Sequence, residues 1–148
     1  MIDRFDGEYA FLSNFSASPF KDECGDFFPT MEHYFQAQKA IDLYDFELVR
    51  KAKTPGLAKR YGRQIKLAPD WESVKVDVMR KGLHFKFAIP ELRYKLLATG
   101  DQYLEEGNTW HDNYWGNCYC SRCKDILGKN TLGNLLMELR EEIKNGSN

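Results

Sequence analysis

An acid, an amide and an amine recur at helical spacing between residues 32 and 39. At ~100° per residue, Glu32, Phe35, Gln36 and Lys39 fall on one side of a helix. Met31, Tyr34, Gln38 and Ile41 fall on the neighbouring side. A carboxylate can move a proton, and a neutral amine can attack a carbonyl or imine carbon. The plain alternative is a solvated face beside a buried stripe, and spacing alone does not choose between them. A second cluster is Trp110-His111-Asp112-Asn113-Tyr114-Trp115-Gly116-Asn117. Aromatic rings can stack a base there while a carboxylate moves a proton, or the loop can simply pack on the core.

A third cluster is Cys118-x-Cys120-x-x-Cys123, three thiols inside six residues. The spacing suits a structural zinc site that lacks one ligand. Cys24 is the expected fourth, with His111 or His33 as substitutes, and four ordinary reduced thiols are the alternative. Gly62-Arg63 could hold a phosphate, although glycine there reads first as a helix stop. The chain has no G-x-x-x-x-G-K-[ST], no G-x-G-x-x-G and no G-x-S-x-G, so three familiar nucleotide and hydrolase signatures are missing.

These groups need elements to hold them. Residues 1–28 show no helical period and predict turns and short strands, one near Tyr9–Phe11. Thr30 is a helix cap, and the pattern predicts a helix running to about Leu43. A further segment covers Phe46–Lys53, and Thr54-Pro55 starts another that Gly62 ends. Trp71–Phe87 reads as the longest helix, with Trp71, Val74, Val78 and Phe85 near one face. Pro90 starts the next, which Gly100 stops. Thr131–Lys144 closes the chain with a stripe of Leu132, Leu135, Leu136, Leu139 and Ile143. The expected fold class is mainly α (α+β with a small N-terminal β element), in a single domain over residues 1–145 with a polar tail at 146–148.

The chain of 148 residues suits one core, and 43% hydrophobic residues are enough to build it without disulfides. A net charge of −1 argues against a salt-driven nucleic-acid binder but leaves room for a local basic groove. No signal peptide and no membrane-spanning stretch is visible. A cytoplasmic protein with reduced thiols is expected.

The order of motifs then resembles a known family. Phe11-Leu12-Ser13-Asn14-Phe15 and Pro29-Thr30-Met31-Glu32-His33-Tyr34-Phe35-Gln36-Ala37-Gln38-Lys39-Ala40 are similar to the opening of the NADAR (NAD- and ADP-ribose-associated) family, also called YbiA-like. The likeness continues through Gly62-Arg63, Trp71 with Lys75, Met79 and Leu83, Lys86-Phe87, and Leu96-Leu97-Ala98-Thr99-Gly100. It ends with Asp112, Trp115-Gly116 and Gly128-Lys129-Asn130-Thr131-Leu132-Gly133. The resemblance implies a mainly α fold and N-glycosidase chemistry. It implies active-site roles for Glu32, Lys39 and Asp112, aromatic roles for Trp71 and Trp115, and a polar role for Asn14. Phe15, Gln36, Arg63 and Gly116 join the expected substrate-binding set. The cysteine cluster departs from many members, which carry Gly-rich sequence there.

Some members act on ribosylamino-pyrimidine intermediates of riboflavin synthesis. Others remove ADP-ribose from the exocyclic amine of guanine in nucleic acid and pair with an ADP-ribosyltransferase toxin. The first expectation is the guanine reaction, with the riboflavin intermediate as the alternative and a non-catalytic ADP-ribose sensor as a reading of another class. No cofactor is expected for catalysis. An exocyclic N-glycoside can leave directly, with Glu32 and Asp112 as acid and base. It can also open to an imine that Lys39 attacks as a free amine, the route favoured for a glycosylamine.

Overall fold

Side-chain caps start the first three α-helices. Thr30 accepts from His33 N–H and opens α1 (Met31–Ala37). Asp42 accepts from Asp45 N–H and opens α2 (Leu43–Arg50). Thr54 accepts from Leu57 N–H and opens α3 (Pro55–Gln64), with Pro55 in its first turn. Each cap satisfies a backbone donor that has no partner inside the helix. The remaining helices are α4 (Trp71–Lys86), α5 (Pro90–Ala98) and α6 (Thr131–Lys144). Two short strand pairs accompany them: β1 (Phe20–Lys21) antiparallel to β2 (Phe27–Phe28), and β3 (Gly107–Asn108) parallel to β4 (Asn117–Cys118). The fold is mainly α, as the sequence predicts. The structure is a computed structural model that describes residues 1–146, so the expected tail at 146–148 lies outside the described residues except for Gly146.

The chain divides into two units, Asn14–Ile89 and Met1–Ser13 with Pro90–Asn148. In the first, α1 is buried along its whole length, including Glu32, His33 and Gln36. Phe20, Phe28 and Phe85 pack against Tyr34 of α1 with ring centroids 5.1–6.0 Å apart. At Gly82 of α4, a Cβ would stand 2.2 Å from Met31 Cε, so glycine lets α4 approach α1 closely. The buried stripe of α4 is Met79, Gly82, Leu83 and Lys86 together with Trp71, whereas Val74, Val78 and Phe85 are only half-buried. Lys86 is fully buried, donates to Ser16 Oγ at 3.3 Å, and has its pKa lowered to about 7 by burial.

Three expected boundaries move. α1 stops at Ala37 rather than near Leu43, because Asp42 caps a new helix there. α2 therefore spans Leu43–Arg50 rather than Phe46–Lys53. Gly62 lies inside α3, not at its end: a Cβ there would stand 2.0 Å from Gln36 Oε1, so glycine serves packing and not helix termination.

In the second unit, the stripe Leu132, Leu135, Leu136, Leu139 and Ile143 of α6 is buried as expected. Gly133 sits where a Cβ would meet Leu104 O at 2.1 Å, and Leu104 itself bridges to Ile2. Gly100 takes φ 66°, the left-handed conformation that ends α5. The strand expected near Tyr9–Phe11 is instead a 3₁₀ helix, Gly7–Leu12, entered through Gly7 at φ 57° and burying only Leu12. Among the described residues, no helix is long and apolar enough to cross a membrane.

Candidate active site

Glu32 and Gln36 lie one turn apart on α1, and Gln36 Nε2 donates to Glu32 Oε2 at 2.7 Å. Both are buried, at 7% and 5% exposure, which removes the solvated-face reading of this helix. A carboxylate taken from water is costly unless other groups hold it. Asn14 adjoins the same turn, since its backbone carbonyl accepts from Glu32 N–H at 3.0 Å. Two buried amide oxygens, Asn14 Oδ1 and Gln36 Oε1, have no hydrogen-bond partner among the described residues. The Gln36 oxygen rests against Gly62, while Asn14 keeps an acceptor suited to a ligand hydroxyl. The neighbouring His33 is structural. Its Nε2 donates to Ala52 O at 2.9 Å, so Nδ1 accepts from Thr30 Oγ1 at 2.8 Å and the ring is neutral. Burial lowers its pKa, in keeping with that state.

Lys39 follows α1 in a turn in which its N–H donates to Gln36 O at 3.2 Å, so it is not itself helical. Its carbonyl accepts from Ala68 N–H at 2.9 Å, which fixes the turn. Lys39 Nζ stands 5.9 Å from the Phe35 ring centroid and 5.8 Å from that of Trp71. Those two rings pack 5.0 Å apart and wall the amine. Burial lowers the Lys39 pKa, Glu32 raises it, and Arg63, Lys59 and Lys75 lower it further. Lys59 and Lys75, which the sequence did not single out as site residues, thus add to the positive field of Arg63 at this amine, although Lys75 Nζ also donates to Glu72 Oε1 at 2.7 Å. Lys59 Nζ also lies 5.9 Å from the ring of Phe15, which is 43% exposed.

Asp112, Trp115 and Gly116 belong to the other unit. Asp112 Oδ1 accepts from Tyr114 N–H at 3.1 Å and from Trp115 N–H at 2.9 Å, so part of the carboxylate shapes the loop. Asn108 supports it: its Oδ1 accepts from Asp112 N–H at 3.2 Å, and its Nδ2 donates to Asp112 O at 2.8 Å. Trp115 packs edge-on to Tyr114 at 4.9 Å. Asn113 Oδ1 accepts from Cys118 N–H at 2.9 Å, tying the aromatic loop to β4. These asparagines were legible only as polar loop residues.

Gly116 has no room for a side chain. A Cβ would stand 1.8 Å from Glu106 Oε2 and 2.1 Å from Glu106 O. Gly116→Ala is therefore expected to destabilise the protein by roughly 1–3 kcal/mol and to displace the loop. Thermal unfolding beside a turnover assay checks this, and an unshifted melting temperature would contradict it.

The cysteines separate. Cys118, Cys120 and Cys123 gather with His111, and one ligand atom from each lies within 4.8 Å of all the others. Cys24, expected as the fourth ligand, is not in this group: it sits with Asp22 and Glu23 in the β1–β2 turn of the other unit. That turn is shaped by Asp22 Oδ1, which accepts from Cys24 N–H at 3.0 Å and Asp26 N–H at 2.9 Å. His33 is excluded as a ligand by the hydrogen bonds that occupy both of its ring nitrogens.

Residues 3–144 match the model of the NADAR domain, which takes in both units. The chain is 47% identical over 139 residues to the N-glycosidase YbiA of Escherichia coli (strain K12), covering 92% of this chain and 82% of that protein. It is 38% identical over 149 residues to the chloroplastic riboflavin biosynthesis protein PYRR of Zea mays, covering 89% of this chain but 23% of that longer protein. The NMR structure of E. coli YbiA superposes with a TM-score of 0.80 and 44% identity, covering 99% of this chain and 88% of that one. The chain belongs to the NADAR family.

Proposed function

We propose that this chain hydrolyses the bond between a ribose C1 and an exocyclic amine of a base, and that it removes ADP-ribose from ADP-ribosylated guanine, free or in DNA. Family membership and its N-glycosidase relatives make it a hydrolase of N-glycosyl bonds. The observation that carries the reading is the buried Glu32–Gln36 pair beside Lys39, an amine whose pKa is lowered among other cations. A glycosylamine is already disposed to open to an imine. The free Lys39 amine adds to C1, the proton it surrenders passes by way of Glu32 to the base amine, and the bond from C1 to that amine breaks as the lysine imine forms. Water then hydrolyses the lysine imine and restores the amine. The sum is substrate plus water giving free base amine and ribose product.

Lys59, Arg63 and Lys75 suit the phosphates of ADP-ribose, and Asn14 Oδ1 suits a ribose hydroxyl. Phe15 and Trp71 suit the base and sugar faces. An ADP-ribosyltransferase acting on guanine, such as a toxin, would supply this substrate, and a cytoplasmic location fits both nucleic-acid substrate and cysteines that form no disulfide.

A second reading has its own support. The maize PYRR protein and a Vibrio vulnificus relative, 36% identical, are named riboflavin biosynthesis proteins, so a ribosylamino-pyrimidine is the alternative substrate. Side-by-side incubation of the purified chain with an ADP-ribosylated guanine oligonucleotide and with the ribosylamino-pyrimidine separates them. Faster release of unmodified guanine is expected, and release from the pyrimidine alone would reverse the order. Binding of ADP-ribose without release from either substrate would make the chain a sensor.

A further inference from the structure

We infer that His111, Cys118, Cys120 and Cys123 form a structural zinc site that staples the loop carrying Asp112 and Trp115. The four ligand atoms already lie within 4.8 Å of one another. His111 Nδ1 is 3.3 Å from Cys120 Sγ and 3.5 Å from Cys123 Sγ. A tetrahedral zinc with Zn–S of ~2.3 Å and Zn–N of ~2.0–2.1 Å has ligand-to-ligand edges of roughly 3.5–3.8 Å. The cluster therefore needs only small adjustments to close on the ion.

The backbone is arranged for thiolates. Cys118 Sγ accepts from His111 N–H at 3.3 Å and from Cys120 N–H at 3.5 Å. Such donors stabilise negative charge on a coordinating sulfur. His111 takes φ 70°, an uncommon left-handed conformation for a residue with a side chain. Strand pairing and hydrogen bonds hold Cys118 and Tyr119, but the segment that follows buries little apolar surface. Tyr119, Ile126 and Leu127 are 55%, 51% and 90% exposed, while the buried apolar contribution of residues 118–127 comes from Cys118 and Cys123. A loop that buries so little apolar surface gains order from a metal clip.

The histidine tautomer follows from its neighbours. Arg122 Nη2 donates to His111 Nε2 at 3.0 Å, so Nδ1 carries the proton in this arrangement and directs it at the sulfurs. Zinc takes the place of that proton on Nδ1, Nε2 becomes the N–H, and exposed Arg122 turns into solvent. Binding thus displaces the thiol protons to solvent and moves one proton across the ring. Three thiolates and one imidazole close the tetrahedron, so no position remains for a reactive water and the metal is not catalytic. The site is independent of the glycosidase reading.

The test uses the full chain purified without added metal. One zinc per chain is expected, with Cys24 titrating freely and the other thiols reacting only after chelation. Exchange to cobalt(II) is expected to give sulfur-to-metal charge transfer and the strong ligand-field bands of a tetrahedral site. Cys24→Ser should keep the metal, whereas His111→Ala and Cys123→Ser should lower its affinity at least tenfold. Prompt titration of all thiols in folded protein with no cobalt charge transfer would overturn the site. Loss of metal in Cys24→Ser with retention in His111→Ala would overturn the ligand set. Should the ligand variants fail to fold, thiol titration and cobalt spectra of the unmodified chain still decide the matter.

Discussion

Glu32→Gln is expected to lower turnover by ~10²–10⁴-fold while leaving the fold intact. The substitution keeps the shape and removes the ionisable group. Gln36 Nε2, which donates to Glu32 Oε2 at 2.7 Å, can donate equally to an amide oxygen at position 32, so α1 keeps its packing. The proton-transfer capacity is lost, together with the carboxylate charge that raises the Lys39 pKa. Because Glu32 is 7% exposed, a neutral replacement should not destabilise the protein. Turnover under saturating substrate, beside thermal unfolding, is the measurement. Near-normal turnover would show that Glu32 is a structural carboxylate.

Lys39→Arg is expected to cause a loss at least as large. Arginine keeps the positive charge that could hold a phosphate but offers no free amine near neutral pH. If Lys39 only binds phosphate, arginine should substitute for it with a modest rise in KM. If Lys39 is the nucleophile, kcat collapses. The pH profile adds a second reading. Burial and the cations Arg63, Lys59 and Lys75 lower the Lys39 pKa below its ordinary value of 10.5, and the neutral amine is the reactive form. The rate should therefore rise with pH through that lowered pKa and level off above it. A rate that falls with pH across the same range would assign Lys39 to phosphate binding.

The helix and loop clusters were legible from residue type and spacing, but their environments were not. Spacing placed Glu32 and Gln36 on one face, yet the pattern Met-Glu-His-Tyr-Phe-Gln-Ala reads as amphipathic while every residue is buried. The polar members are tolerated because they find partners: His33 pairs with Thr30 and Ala52, and Gln36 with Glu32. Those partners include residues distant in sequence, so periodicity cannot show them. Gly62 was misread for a related reason. Glycine ends helices often, but here it makes room for Gln36, a contact between α1 and α3. The α6 stripe was readable because burial there follows the 3.6-residue period alone. Cys24 was the natural chemical choice for a fourth ligand, but the left-handed backbone at His111 brings imidazole to the sulfurs instead. Lys59 and Lys75 carried no signal beyond their charge; their relation to Lys39 is a product of the tertiary fold.

In the proposed reaction the amine following α1 attacks the ribose carbon. Borohydride added during turnover of an ADP-ribosylated guanine substrate, followed by peptide mass mapping, tests it most directly. Reduction should fix a ribose-derived adduct on Lys39, with none on the fully buried Lys86 and none in Lys39→Arg. Release of guanine with no adduct on Lys39 would contradict attack by that amine.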